Sequence, residues 1–243
     1  VARILIRNYP PYESLSFDKD GKAETDFHGV IIGFGQIGQA VLRHLVMNSQ
    51  FCGSTSRIAV FAPDYEQQMG WLSHECRDML EHYNISLFSC DGRSRQLYDY
   101  LEAHCATINY LAVCTGNDSV NSEIGEALQS YLARQNSHAP ILLCSKRGVS
   151  RLSAKAPVVP HGIYTPEILC SDQIDRMAMI LNHSYQGKGD MLENWKNCSY
   201  FDRMSSRSSA DFYDAFLYCA NVTAQEALGS WNPQGALLEN LAA

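Results

Sequence analysis

The chain has 243 residues, 46% of them hydrophobic, and 19 lysines and arginines against 26 aspartates and glutamates give it a formal net charge of -7. At this length that apolar fraction is enough to bury a substantial core, with material for one main domain and a smaller one. The acidic balance lacks the lysine and arginine excess by which phosphate-backbone binders displace counterions, which argues against nucleic acid as a partner.

Residues 1–27 carry Pro10-Pro11 and the polar run Asp18-Lys19-Asp20-Gly21-Lys22, and they read as a lead-in segment, not a packed unit. A regular alternation follows. Short apolar or β-branched runs at Val30 to Gly33, Arg57 to Phe61, Ile85 to Ser89, Tyr110 to Cys114 and Ile141 to Cys144 predict strands. Helical patterns such as Ile37 to Leu45 and Asn121 to Arg134 lie between them. Strands that alternate with helices of this length imply crossover connections and a parallel sheet. A sixth strand is expected near Ile163-Tyr164.

From Pro166 onward the period turns helical, with Ile168, Ile174, Met177, Ala178, Leu181 and Tyr185 on one face. Gly187-Lys188-Gly189 breaks it before Met191 to Trp195. A last helix is expected to begin at a serine of Ser205-Ser206 and to bury Phe212, Ala215, Phe216 and Cys219; Trp195 and Tyr200 are expected in the core. The fold class is therefore α/β: a doubly wound parallel-sheet Rossmann domain over 28–165, a small all-helical domain over 166–228, and a loose tail over 229–243.

The nine cysteines are odd in number and form no CxxC pair, so they read as buried thiols in a reducing compartment. No stretch approaches the roughly 20 apolar residues that span a bilayer. The chain begins at Val1 without a methionine, as expected of a piece excised from something longer, with room upstream for a membrane segment. The expected location is the cytoplasm, free or tethered to the inner face of a membrane through that region.

The strongest motif is Gly33-Phe34-Gly35-Gln36-Ile37-Gly38. GxGxxG alone is weak, but here a strand, Val30-Ile31-Ile32, precedes it and a helix from Gln36 to Leu45 follows, the context a phosphate-binding loop requires. Gly33 permits the tight turn, Gly35 lets backbone approach a pyrophosphate, and Gly38 lets helix pack on strand; the helix N-terminus then offers N–H groups to the anion. The bland alternative is a glycine turn that binds nothing.

A ribose-binding carboxylate normally ends the second strand about 20 residues beyond the glycines. Here Ile58-Ala59-Val60-Phe61 runs on to Ala62-Pro63-Asp64. Asp64 falls two residues late, and either reaches a ribose or is a solvated turn residue. Asp91, after the third strand, is either a contact near the adenine or an Asx-type turn. After the fourth strand, Thr115 and Gly116 should line the site at the switch point of the sheet, while Asn121 fits either the site or a plain helix cap.

Together GFGQIG, the Asp91 turn, the TGNDxxN run and the short final strand resemble the nucleotide-binding domain of the TrkA amino-terminal (RCK) type over about residues 28–150. That family regulates potassium channels and transporters by binding nicotinamide or adenine nucleotides on their cytosolic side. The resemblance implies phosphates at Gly33, Gly35 and Gly38, the adenosine region at Asp91 and mid-ligand contacts at Thr115, with NAD(H) or a related adenine nucleotide as ligand. Ala62 stands where that family places its ribose carboxylate, which argues against NAD itself and leaves a phosphate ligand. A second resemblance, over about residues 168–222, is to the prokaryotic form of the ryanodine receptor repeat domain. It rests on Ile174-Asp175-Arg176-Met177-Ala178, the Trp195 segment and Ser205 to Phe212. Such a module implies ligand recognition or docking. Physically, Arg203 and Arg207 beside the serine cluster either form an anion site at a helix start or are solvated or paired with Asp202 and Asp211.

Eight scattered histidines show no HExxH and no other metal-ligand spacing. A dehydrogenase needs an acid or base near the nicotinamide, and His161, Tyr164 and Lys146 sit in no recognisable catalytic spacing. The expected function is a non-catalytic nucleotide-sensing regulatory module, with an ion-channel or transporter partner and, by resemblance, a homodimeric state. The alternative is an NAD(P)-dependent oxidoreductase with an incomplete substrate domain.

Overall fold

The structure is a computed structural model that describes residues 2–145, 148–152, 161–162 and 174–222. Its strands are β1 (His28–Ile32), β2 (Arg57–Phe61), β3 (Asn84–Phe88), β4 (Tyr110–Val113), β5 (Ile141–Ser145), β6 (Gly148–Leu152) and β7 (His161–Gly162). They form one sheet in the order β3-β2-β1-β4-β5-β6-β7. Strands β1 to β5 are parallel. The protein is thus α/β with a five-strand parallel, Rossmann-like sheet, and each of the five expected runs forms a strand. Beyond them β6 folds back antiparallel on β5 and β7 pairs with β6, an extension the sequence reading did not contain. Ile163-Tyr164, where a sixth strand was expected, lies outside the described residues.

Side chains alternate across a strand, so strands β1 to β5 feed two cores. On one face Ile31, Val60, Ala112, Leu142 and Cys144 meet α2 (Gln36–Asn48) through Val41, Leu42 and Leu45. The connection between β2 and β3, made of the short helices α3 (Tyr65–Gln68), α4 (Gly70–Glu75) and α5 (Arg77–His82), adds Leu72 to that face. On the other face Val30, Ile32, Ala59, Phe61, Leu111, Val113 and Leu143 pack against α6 (Arg95–His104) and α7 (Asp118–Arg134). Helices on both faces explain why the central strands are continuous apolar runs and not alternating ones.

Residues 2–27 are packed, contrary to the expectation of a lead-in. Helix α1 (Ala2–Asn8) buries Leu5 and Ile6 against the α2 side of the sheet, and Leu15, Ala23 and Phe27 join the same core. A 3₁₀ turn at Pro11–Ser14 follows. The fully buried Tyr110 of β4 donates its hydroxyl to Tyr9 O at 2.8 Å and fastens the segment to the sheet.

Among the described residues, three helices follow the sheet: α8 (Arg176–Gln186), α9 (Met191–Asn197) and α10 (Tyr200–Cys219). Their own small core is Ala178, Met179 and Trp195. Here the expected stripe is corrected: Met177 and Tyr185 face solvent, while Met179 and Asn182 are buried, so the inner face of α8 is rotated from the predicted one. Tyr200, expected in the core, is 80% exposed. Helix α10 starts well before the serine cluster, because Ser199 caps it by accepting from Asp202 N–H at 3.0 Å. The serines therefore lie in mid-helix, Ser206 buried and Ser209 donating to Ser205 O, and offer no helix start to an anion. Toward its end α10 leaves the small core for the sheet, where Ala215, Phe212 and Cys219 join the core beneath α2.

A charged junction fastens these helices to α1. Arg3 donates both Nε and Nη2 to Asp211 at 2.7 Å, Nη1 to Asp175 at 2.5 Å, and Nη2 to Ile174 O at 3.1 Å. Asp175 also accepts from Arg207 Nε at 2.9 Å, so Arg207 pairs with Asp175 and not with Asp202 or Asp211. Burial pulls the Asp175 carboxyl up, but hydrogen bonds from Arg207 and Arg3 outweigh it and hold the group below its ordinary range. Arg203 donates instead to Trp195 O at 2.9 Å and lies over the Trp195 ring.

Two stability outcomes follow. Arg3→Met leaves two largely buried carboxylates without their shared partner, and a loss of roughly 2–4 kcal/mol is expected, read as a lower urea midpoint at unchanged m. An unaltered midpoint would show that the junction contributes nothing. The second concerns acid. Burial, reinforced by nearby Arg57 and His104, lowers His28 from 6.5 to about 4; burial, opposed by Asp211 and aided by Arg3 and Arg43, lowers His44 to about 4 as well. Both histidines fold neutral and charge more readily when unfolded, so their stabilisation is complete above pH 6.5 and disappears as pH falls through 4. Each accounts for roughly 2–3 kcal/mol by pH 4, and a urea midpoint flat across that window would contradict this.

Candidate functional site

The site is built where β1 meets the start of α2. Gly33 ends β1 with its N–H on Phe61 O at 2.8 Å and a φ of +99°, a conformation that glycine adopts without steric cost. A Cβ there would lie 2.5 Å from Cys114 O, so the turn after β4 presses backbone against backbone. A Cβ on Gly38 would lie 2.1 Å from Gly33 O, which sets the first turn of α2 directly on the strand end. Gly35 is different. It occupies the N-cap position of α2 with ordinary φ of -63° and no side-chain cap, and a Cβ there would meet only Gln68 Oε1, at 3.5 Å. The first amides of α2, from Gln36 to Gly38, thus have no partner within the helix and lie at the positive end of its dipole.

Of the remaining loop residues, Gln36 is exposed at the mouth and Ile37 packs partly against the α2-side core. Phe34 was expected as a binding residue, but its side chain is 1% exposed and belongs to that core, so it can offer a ligand backbone only. Its carbonyl accepts from Gln39 Nε2 at 3.1 Å, and Gln39 also donates to Gln68 O at 2.8 Å, which ties the glycine turn to α3.

At the end of β2, Ala62 is buried and donates its N–H to Phe88 O at 3.0 Å. Asp64 is exposed at the N-cap position of α3, where its carboxylate accepts from Gln68 Nε2. Asp64 therefore joins the glycine turn only through Gln68, a residue the sequence reading missed because no spacing rule links positions 35 and 68. At the end of β3, Asp91 forms the Asx turn: Oδ1 accepts Arg93 N–H at 2.8 Å, and the Arg93 guanidinium grips both oxygens at 2.9 Å. Those Arg93 side-chain bonds hold the Asp91 carboxyl below its ordinary range. The carboxylate is engaged by its own turn. A missed residue beside it is Gly92, where a Cβ would fall 2.4 Å from Ile32 Cγ2, so only glycine lets this turn close over the end of β1.

After β4, Thr115 donates its N–H at 2.9 Å and its hydroxyl at 2.7 Å to Asn121 Oδ1, and Asn121 Nδ2 donates to Cys144 O at 2.8 Å. Asn121 is buried and joins the β4 loop to the end of β5. The cap of α7 is instead Asn117, which accepts from Ser119 and Val120 N–H. Gly116 has a φ of +83° and nothing near its missing Cβ, leaving the mouth open on that side. The structure thus assembles Gly33 to Gly38 with Thr115 and Gly116 across the ends of β1 and β4, and sets Asp64 and Asp91 at the neighbouring ends of β2 and β3.

Lys146 and Tyr164 lie outside the described residues, as does the His161 side chain. Among the described residues Asp78, Glu81 and His82 bring ligand atoms within 4.8 Å of one another, but all three are exposed on the six-residue α5 and helical spacing alone accounts for them. No helix among the described residues is long and apolar enough to cross a membrane. Cavities do not single out the glycine turn: one of about 780 Å³ opens at the opposite ends of the strands, where Asn109 and Tyr110 begin β4. The chain matches no protein-family model and no curated protein.

Two substitutions separate architecture from binding. Gly33→Ala forces both a disfavoured φ and a backbone collision, and is expected to destabilise by at least roughly 2 kcal/mol. Asn121→Ala strands the Thr115 and Cys144 partners at about 1–3 kcal/mol. Thermal melts measure both; wild-type melting temperatures in either variant would refute the packing described.

Proposed function

We propose that the chain is a non-catalytic, nucleotide-sensing module that takes NAD(H) or a related adenine nucleotide on the glycine turn. The observation that carries the reading is the uncapped first turn of α2, placed at the switch point between β1 and β4, with glycine at each position where a side chain would block backbone or anion. In open parallel sheets ligands bind outside the carboxyl ends of strands at that point, and anions suit a helix N-terminus. Neither Ala62 nor the Arg93-paired Asp91 gives a free carboxylate to a ribose. The diphosphate then dominates recognition, so NAD, NADH and ADP-ribose should bind within about tenfold of one another.

The back of α2 touches α1 and α10, and Phe212 of α10 stacks on Phe51 after α2. Nucleotide binding that favours one arrangement of this packing would pass a signal to the terminal helices. A homodimer and an ion-transport partner complete the proposal; the resemblance of residues 28–150 to RCK-type domains supports them.

The test is a calorimetric titration with NAD, NADH, ADP-ribose and ATP, run beside an assay of hydride transfer. Saturable binding without turnover is expected. Gly35→Asp should fold normally, given the open space at that position, yet lose roughly 100-fold or more in affinity by setting a carboxylate against the phosphates. Unchanged affinity in that variant would remove the site, and nicotinamide oxidation would replace the sensor with an oxidoreductase.

A further inference from the structure

We propose that the cavity at the amino-terminal ends of β4 and β5 is a second ligand site, and that it takes an organic polycation of the polyamine class. Its volume of about 780 Å³ lies within the range of small-molecule sites. It is a true recess between three elements: the Tyr9 to Ser14 stretch on one side, the last turn of α6 on another, and the residues that follow α7.

The charge of that lining has one sign. Helices α6 and α7 both end here, with Glu102, Ala103 and Cys105 and the capping Gln135 on the wall, so two negative dipole ends lie beside one space. Glu13 from the 3₁₀ turn and Glu102 from α6 add two carboxylates on separate elements. No lysine or arginine lines the cavity to neutralise them. The buried Tyr110 hydroxyl at the cavity wall donates to Tyr9 O at 2.8 Å, and burial raises its pKa well above the ordinary value, with smaller contributions from Cys144 and Glu13. A lone metal ion would leave most of such a volume empty. An extended chain with ammonium groups at intervals fits better, its methylenes on Tyr9, Pro10 and Ile108 and its charges toward the carboxylates and carbonyls. The neutral and acidic lining rejects nucleotides, so this site and the glycine turn do not compete for one ligand.

Spermidine is the probe, titrated at pH 8 and at about 0.15 M salt to screen loose surface attraction. Saturable binding of one spermidine per chain is expected, with magnesium chloride at matched ionic strength giving no equivalent heat. Glu13→Gln and Glu102→Gln should each weaken binding by roughly tenfold, while leaving nucleotide binding at the glycine turn as it was. Both positions are exposed, so the variants should fold. Absence of saturable binding, an equal response to magnesium, or full affinity in the double variant would each overturn the proposal.

Discussion

The architecture depends on one close approach: the carbonyl oxygen of Cys114 lies only 2.5 Å from where a Cβ of Gly33 would be. Two parallel strands that leave in opposite directions around the sheet must open a crevice between their ends. Here backbone meets backbone at the base of that crevice, and the first turn of α2 is drawn onto it because Gly38 also lacks a side chain. Sterics thus fix the direction of the α2 amides, without any side-chain cap. Buried Asn121 then holds the opposite lip, by joining Thr115 to Cys144 across the ends of β4 and β5.

A second constraint comes from the exposed flank that a doubly wound sheet would otherwise leave beside α2. Its cover is assembled from distant segments, α1 at the start of the chain and α10 near residue 215, and each needs the other. Arg3 joins them through Asp211 and Asp175, and the aromatic contacts of Tyr218 with Tyr12 and Phe17 extend the seam. The helical segment is consequently not set apart from the sheet: it shares the core that supports the helix of the glycine turn. A ligand bound at one end of α2 is mechanically close to surfaces formed by both ends of the described chain.

The parts of this arrangement that were legible in the sequence are those governed by local rules. Strands β1, β2, β4 and β5, buried on both faces, leave continuous apolar runs, the edge strand β3 leaves an alternating one, and a strand, three spaced glycines and a helix announce a tight glycine turn. Other parts escaped because their cause is tertiary. Seven residues of α1 are too few to display a period, and its role appears only once Tyr110 reaches Tyr9. The serine cluster of α10 imitated a helix start that Ser199 had already supplied. Strand β6, short and half polar in sequence, is a strand because β5 offers it an edge. At the site, glycine positions followed from the motif, whereas burial of the Phe34 side chain in the α2-side core did not, because tertiary packing beyond the end of β1 sets it. Gln39 and Gln68 lie 29 residues apart and meet only through the packing of α3 on α2.

The account rests on the uncapped amides at the head of α2. Amide chemical-shift mapping with ADP-ribose addresses them directly: at saturation the largest displacements should fall on Gly35, Gln36, Ile37 and Gly38, with Thr115 and Gly116 next, and α9 unmoved. Saturating ligand that leaves those amides in place, or that displaces others alone, would contradict the assignment of this turn as the nucleotide site.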